Sequence, residues 1–187
     1  NLAARRDESY KELIDALQER HHGIIRELLP LEKHEESLEV CDSLFDSLRG
    51  IAQGVCLLGE LSPASLDAIQ SFGELWSTKI IATKLSSIGI ATKWVDSREI
   101  IRTVSRGGKN VADVQKTYYK VKQMIEKNPI TQLFVMPGFI ASDSCKRTTT
   151  LGRGGSDYSA SLFAVGCTAR ILEIWTDVPG LMTANPK

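Results

Sequence analysis

The chain has 187 residues, enough for one domain with a real hydrophobic core or for one large lobe of a bigger protein. Its 42% hydrophobic and 25% charged content is globular and excludes disordered, collagen-like and coiled-coil chains. Lys plus Arg (23) equals Asp plus Glu (23), so there is no overall basic field to hold nucleic acid or an anionic membrane, and any anion must be held by a local site.

The first sixty residues read as helix. Tyr10, Leu13, Ile14 and Leu17 recur at helical spacing, as do Ile24, Ile25, Leu28 and Leu29 before Pro30 stops the run. Leu38, Cys41, Leu44, Phe45, Leu48, Ile51, Ala52 and Val55 repeat the three-four pattern. Residues 1–60 are thus predicted to be a helical hairpin with one apolar face, a scaffold or cover. His21 and His22 lie here, with His34 expected in the loop after Pro30. Adjacent histidines project about 100° apart on a helix and make a poor metal pair, so a structural role is expected for them.

From Ser62 the texture changes, and residues 62–187 read as an α/β portion. Ser62-Pro63 predicts an N-cap with proline at the first helical position. That helix is expected to run toward Ser71-Phe72-Gly73-Glu74, and a second one, carrying Leu75, Ile80, Ile81 and Leu85, to close near Gly89. Residues 91–95 predict a strand ending at Asp96, and residues 111–125 a helix. Leu133-Phe134-Val135-Met136 is a short apolar run bounded by Pro137-Gly138. Residues 156–167 predict a helix and residues 171–175 a buried strand. Helices alternating with short apolar strands indicate an α/β fold, a three-layer αβα sandwich with a mainly parallel sheet.

The four cysteines, Cys41, Cys56, Cys145 and Cys167, form no C-x-x-C pair. Neither a zinc site nor a disulfide framework is expected; buried free thiols in a reducing cytoplasm are the simpler reading. No apolar run reaches spanning length and no signal segment opens the chain. The first residue is Asn rather than Met, as in an excised piece.

In open α/β sheets, ligands bind beyond the carboxyl ends of the strands. The densest candidate loop reads KRTTTLGRGGSDY, from Lys146 to Tyr158. It combines basic side chains, hydroxyls and glycines ahead of a helix expected to begin near Ser156. Gly154 and Gly155 would let the backbone approach a ligand, and a helix start presents unpaired N–H groups to an anion. Arg153 offers a planar fork suited to a carboxylate or phosphate. Asp157 would sit in the first helical turn, where a carboxylate is electrostatically comfortable or could organise a cation beside a phosphate. A plain glycine turn capped by serine is the simpler alternative, but the coincidence of residue types favours an anion site. The loop is neither a Walker loop nor a G-x-G-x-x-G fingerprint. A second loop, Trp175-Thr176-Asp177-Val178-Pro179-Gly180, follows the last predicted strand. Its chemistry alone is ambiguous between a nucleotide contact and an ordinary turn. A third element is Gly73-Glu74, where an isolated glutamate at a helix start is usually a dipole partner.

Taken together, SFGELWST, GRGGSDYSA and IWTDVPGLMTANP resemble the aspartokinases of the amino-acid kinase family, most closely the single-function, lysine-sensitive type. RTTTLGRGGSDY is the most specific of these strings, and the resemblance extends through WVDSREIIRT and PGFIASD over essentially the whole chain. It implies the amino-acid kinase (carbamate kinase-like) fold and a cytoplasmic transferase. The reaction would move the γ-phosphoryl of Mg-ATP to the side-chain carboxylate of L-aspartate. The product, 4-phospho-L-aspartate, opens lysine, threonine and methionine biosynthesis. By motif, Glu74 resembles the residue that recognises the amino group of aspartate, and Arg153 the one that pairs with the reacting carboxylate. Gly154, Ser156 and Asp157 resemble the substrate and phosphate loop, with Asp157 organising the transfer centre. Thr176 and Asp177 resemble nucleotide contacts, and Met182 and Lys187 belong to the same nucleotide segment. ATP and Mg2+ are the implied cofactors, with no protein metal site assigned, and a homo-oligomer is the implied assembly.

Departures from the family pattern are also visible. The opening Lys-Phe-Gly-Gly-Thr-Ser motif, a later nucleotide-contacting lysine and the regulatory ACT domains have no counterpart here. Met182 stands where an aromatic residue is common, Asn185 where Asp is, Lys187 where Arg is, and Pro137 where Gln is usual. The resemblance therefore implies a partial catalytic domain, incomplete at its N-terminal side, whose 187 residues alone would turn over little or not at all. The alternatives are a kinase of the same fold acting on another carboxylate or carbamate, and a non-catalytic relative that keeps a nucleotide or anion site.

Overall fold

The computed structural model describes residues 1–175. Helices α1 (Tyr10–Leu28) and α2 (His34–Leu58) pack against each other and against α3 (Pro63–Ser87). Their apolar faces meet in one cluster centred on Ile25, Phe45, Phe72, Leu75 and Trp76. Phe45 is fully buried and stacks on Trp76 with ring centroids 4.0 Å apart. His21 leans against the same two rings and His22 Nε2 lies 2.6 Å from Asp42, so both histidines hold helices together. His34 is the first residue of α2 rather than a loop residue, with Nε2 3.0 Å from the Leu29 carbonyl.

Ser62 caps α3 as expected, accepting from Ser65 N at 3.1 Å with Pro63 in the first turn. The predicted break at Gly73 is absent: α3 runs unbroken through it for 25 residues. A mid-helix glycine costs about 0.5–1 kcal/mol. The flanking Phe72, Leu75 and Trp76 are all buried and outweigh that at about 1.5–3 kcal/mol for each fully buried side chain.

Strand β1 (Thr92–Trp94) leads to a four-residue helix, α4 (Ser97–Ile100). Strands β2 (Thr103–Arg106) and β3 (Lys109–Ala112) then form an antiparallel hairpin. Its turn residues Gly107 and Gly108 both have positive φ, the demand of a two-residue hairpin turn. Helix α5 (Val114–Glu126) therefore starts later than the expected residue 111, capped by Asp113, which accepts from Lys116 N at 3.1 Å. Strand β4 (Leu133–Val135) lies parallel to β1, with Thr92 opposite Leu133 and Trp94 opposite Val135. Strands β5 (Ile140–Ser142) and β6 (Thr148–Thr150) form a second antiparallel hairpin, and Arg102 bridges Ser142 in parallel sense. Helix α6 (Gly155–Gly166) follows.

Alternation along the strands defines the layers. Ile140 of β5 joins the α1–α3 cluster, whereas its neighbour Ala141 packs with Leu162 of α6. Trp94 likewise faces α1–α3, and Val95 and Phe134 face Val121 and Met124 of α5. Successive side chains of a strand point to opposite faces, so the short strands are sandwiched between α1–α3 and α5–α6. Residues 171–175, predicted as a buried strand, instead have no regular secondary structure and are exposed, Ile171 75% and Trp175 90%. An apolar strand needs ladder partners, and among the described residues none lies beside it. Burial also divides the thiols: Cys41 is buried and Cys56 half-buried, but Cys145 and Cys167 are exposed, contrary to expectation. Among the described residues no helix is long and apolar enough to cross a membrane.

Candidate functional site

The loop from β6 to α6 is shaped by three glycines with different tasks. Gly152 and Gly154 both take φ +73°, a left-handed conformation that other residues adopt only with strain. Gly155 instead permits a close contact: a β-carbon there would sit 2.8 Å from Phe139 Cδ2 and 3.1 Å from Leu151 Cβ. Gly138 does the same from the opposite side, where a β-carbon would lie 3.2 Å from three Ser156 atoms. The start of α6 is thus pressed onto the 137–139 turn. Phe139 N donates to Ser159 Oγ at 2.9 Å, Ser159 Oγ donates to the Gly155 carbonyl at 2.8 Å, and Leu151 N donates to the Phe139 carbonyl at 2.9 Å. Phe139 itself is held at φ +66°, a conformation that persists in a bulky residue only when its surroundings over-determine it.

The expected roles of Gly154 and Gly155 therefore separate. Gly154 is exposed and caps α6 in place of Ser156; Gly155 opens the helix, buried against protein rather than a ligand. Because the cap is a glycine, no side chain satisfies the first N–H groups of α6, leaving a positive helix end open to an anion. Arg153, Ser156 and Asp157 are exposed around it.

The neighbouring arginines are already engaged. Arg147 is 2.7 Å from Asp143, which also accepts from Cys145 N and Arg147 N, and Arg98 is 2.6 Å from Asp96. Desolvation pushes the Asp143 carboxyl up, but the hydrogen bonds from Arg147 and Cys145 and the Arg147 charge together outweigh it and hold the group below its usual range. Among the described residues Arg153 has neither a hydrogen bond nor an ion pair through its side chain, nor does Asp157. Among the described residues Arg153 is thus a cation of this loop left free for an incoming carboxylate or phosphate.

Glu74 does not open a helix but sits inside α3, so the dipole-partner reading falls. It is half-buried, and desolvation pushes its carboxyl up from the ordinary value. Its position relative to the loop is set by Asp67, which accepts from Thr150 Oγ1 at 2.8 Å and Thr150 N at 3.3 Å. That clasp joins α3 to the last residue of β6, just ahead of the glycine loop. Glu74 is seven residues beyond Asp67, hence on the same helix face and roughly 10 Å further along. Among the described residues no ion pair engages this carboxylate, and desolvation is the cause of its shift. The arrangement thus offers an anion grip at α6 and a carboxylate on α3.

Thr176, Asp177, Met182 and Lys187 lie outside the described residues. Asp67 carries no signal in the sequence, and Phe139 and Ser159 fall within the strings PGFIASD and GRGGSDYSA without a role of their own. For Ser159 the only signal was its place four residues after Gly155, where a hydroxyl can bond back to a helix carbonyl.

Residues 8–187 match the model of the amino acid kinase family, and the chain belongs to that family. It is 34% identical over 176 residues to the lysine-sensitive aspartokinase 3 of Escherichia coli, covering 94% of this chain and 38% of that protein. It is 29% identical over 186 residues to the chloroplastic bifunctional aspartokinase/homoserine dehydrogenase 2 of Arabidopsis thaliana, covering 99% of this chain and 20% of that one. The fold matches the crystal structure of E. coli aspartokinase III in complex with aspartate and ADP with a TM-score of 0.84, at 32% identity, over 98% of this chain and 40% of that one. Its complex with lysine and aspartate matches with the same TM-score. The chain therefore spans between a fifth and two fifths of the length of these relatives.

Replacing Gly155 with alanine forces a methyl group into Phe139 and Leu151, and the variant is expected to lose about 1–3 kcal/mol of unfolding free energy in urea titration. Glu74→Gln is expected to act in the opposite direction. Its carboxyl is raised in the folded state, so burial costs stability once pH exceeds that raised value. The cost disappears below the unfolded value of about 4.3, where both states are protonated. Thermal unfolding should show the glutamine variant gaining on the parent as pH rises from 4 to 7.5; an unchanged difference across that range would contradict the assignment.

Proposed function

We propose that the chain carries the amino-acid-binding part of an aspartate kinase domain, which transfers the γ-phosphoryl of ATP to the side-chain carboxylate of L-aspartate. The observation that carries the reading is Arg153, unpaired among the described residues, beside the uncapped start of α6, with Glu74 on α3, which Asp67 ties to β6 just ahead of the loop. Aspartate presents a side-chain carboxylate, an α-carboxylate and an ammonium group. Arg153 takes the reacting carboxylate through paired N–H donors, and the free amides at Ser156 and Asp157 take developing negative charge. Glu74 takes the ammonium, and that charge-assisted hydrogen bond relieves the desolvation of its carboxylate. Aspartokinase III in complex with aspartate and ADP, the matching structure named above, supports this substrate pair.

The transfer needs no covalent enzyme intermediate. A carboxylate oxygen attacks the γ-phosphorus, the bond to the bridging oxygen breaks, and ADP leaves. Positioning and charge neutralisation by Arg153 and α6 supply the catalysis. Asp157, exposed in the first turn of α6, is suited to a magnesium ion, which binds through one or two carboxylates plus substrate phosphates and water. When bound, Mg2+ neutralises charge on the β- and γ-phosphates. Thr176, Asp177, Met182 and Lys187 are assigned to the nucleotide from their motif, with methionine where aromatic stacking is common and lysine where arginine is. The whole protein is expected to be a homo-oligomeric enzyme of amino-acid biosynthesis in the cytoplasm.

The test is ADP release by the intact protein, offered L-aspartate, L-glutamate and N-acetyl-L-glutamate in turn. Turnover with aspartate alone is expected. Arg153→Ala should lower it about 100- to 1,000-fold, the cost of removing one transition-state donor. Turnover with another acceptor would point to a different carboxylate kinase, and none with any acceptor to a non-catalytic relative.

A further inference from the structure

A cavity of about 310 Å3 lies between α2, α3 and β1, lined by residues that include Trp76, Lys79 and Thr92. Trp76 is two residues beyond Glu74, about 200° around the α3 axis, so the cavity opens on the far side of the helix from the amino-acid site. Its apolar walls are Val40, Cys41, Leu44 and Ile80. Burial pushes the Cys41 thiol up to about 11, so that wall stays neutral.

Two buried donors in this lining lack an acceptor among the described residues, and a lysine stands beside them. Trp76 is only 5% exposed, yet among the described residues its Nε1 has no hydrogen-bond partner. Thr92 Oγ1 is buried and equally unpartnered. The Lys79 ammonium lies 3.7 Å from the centroid of the Trp94 ring, and burial lowers its basicity. The nearby Asp96, whose two oxygens Arg98 grips, favours the charged lysine through space, but among the described residues it makes neither a hydrogen bond nor an ion pair with Lys79. Buried donors are ordinarily satisfied. A single water, about 30 Å3 in the liquid, would not fill the apolar part of this space.

We propose that the cavity between α2, α3 and β1 binds a small monocarboxylate with an apolar body. Its oxygens accept from Trp76 Nε1, Thr92 Oγ1 and Lys79 Nζ, and its body rests on Val40, Leu44 and Ile80. The volume sits at the small end of ligand pockets, which suits a metabolite-sized acid rather than a nucleotide. The site is independent of the kinase reading.

Phenylacetate titrated into the intact protein by calorimetry is the probe. Saturable binding is expected, with one site per chain, undiminished by saturating L-aspartate and at least tenfold tighter than binding of the neutral phenylacetamide. Lys79→Met and Thr92→Val should each weaken it about tenfold. Trp76→Phe, which keeps an aromatic ring but removes the N–H, should weaken it too, and circular dichroism should confirm that each variant is folded. No saturable heat at millimolar phenylacetate, equal affinity for the amide, displacement by L-aspartate, or indifference to the folded variants would each overturn the proposal.

Discussion

The contact of Gly155 with Phe139 is the constraint on which the candidate site depends. With no β-carbon in the way, the first turn of α6 comes down onto the 137–139 turn, and Ser159 fastens it there through the Phe139 amide. The next residue of that turn is Ile140 of β5, buried against the α1–α3 cluster, and Ala141 after it packs beneath α6. The helix end that would hold an anion is therefore fixed by the same residues that join the two helical layers. An anion grip gains from being built in advance of binding, because its donors then need no reorganisation.

Helix α3 sets the second half of the geometry. Along one helix, Asp67 holds β6, Glu74 offers its carboxylate, and Thr78 both donates to the Glu74 carbonyl and accepts from Trp94 of β1 at 2.9 Å. A rigid helix anchored to strands on either side of Glu74 leaves that residue little freedom to move. The half-burial of Glu74 is a local loss of stability, of the kind expected where a site awaits an oppositely charged ligand.

Most of the element types were legible in the sequence. Three-four periodicity gave α1 and α2, Ser62-Pro63 gave the start of α3, and short apolar runs gave β1 and β4. The extra break placed at Gly73 came from reading a glycine locally, where the burial of Phe72, Leu75 and Trp76 decides. The hairpin at Gly107-Gly108 was hidden by polar strands that carry no alternation. The strand expected at residues 171–175 failed because apolar composition reports a wish for partners, not their presence. In the site, residue chemistry pointed to Arg153, Gly154, Ser156 and Asp157. Only coordinates separate Gly154, needed for its backbone angle, from Gly155, needed for its missing side chain. Asp67 and Ser159 act by reaching other parts of the chain, which no local string records.

The central claim is that one small amino acid lies between α6 and α3, gripped at one end by Arg153 and at the other by Glu74. A crystal structure of the intact protein with L-aspartate bound tests this most directly. It should show the Arg153 guanidinium within about 3 Å of the side-chain carboxylate and Glu74 at a similar distance from the ammonium, the range of charge-assisted hydrogen bonds. Aspartate bound with either residue turned away to solvent would contradict it.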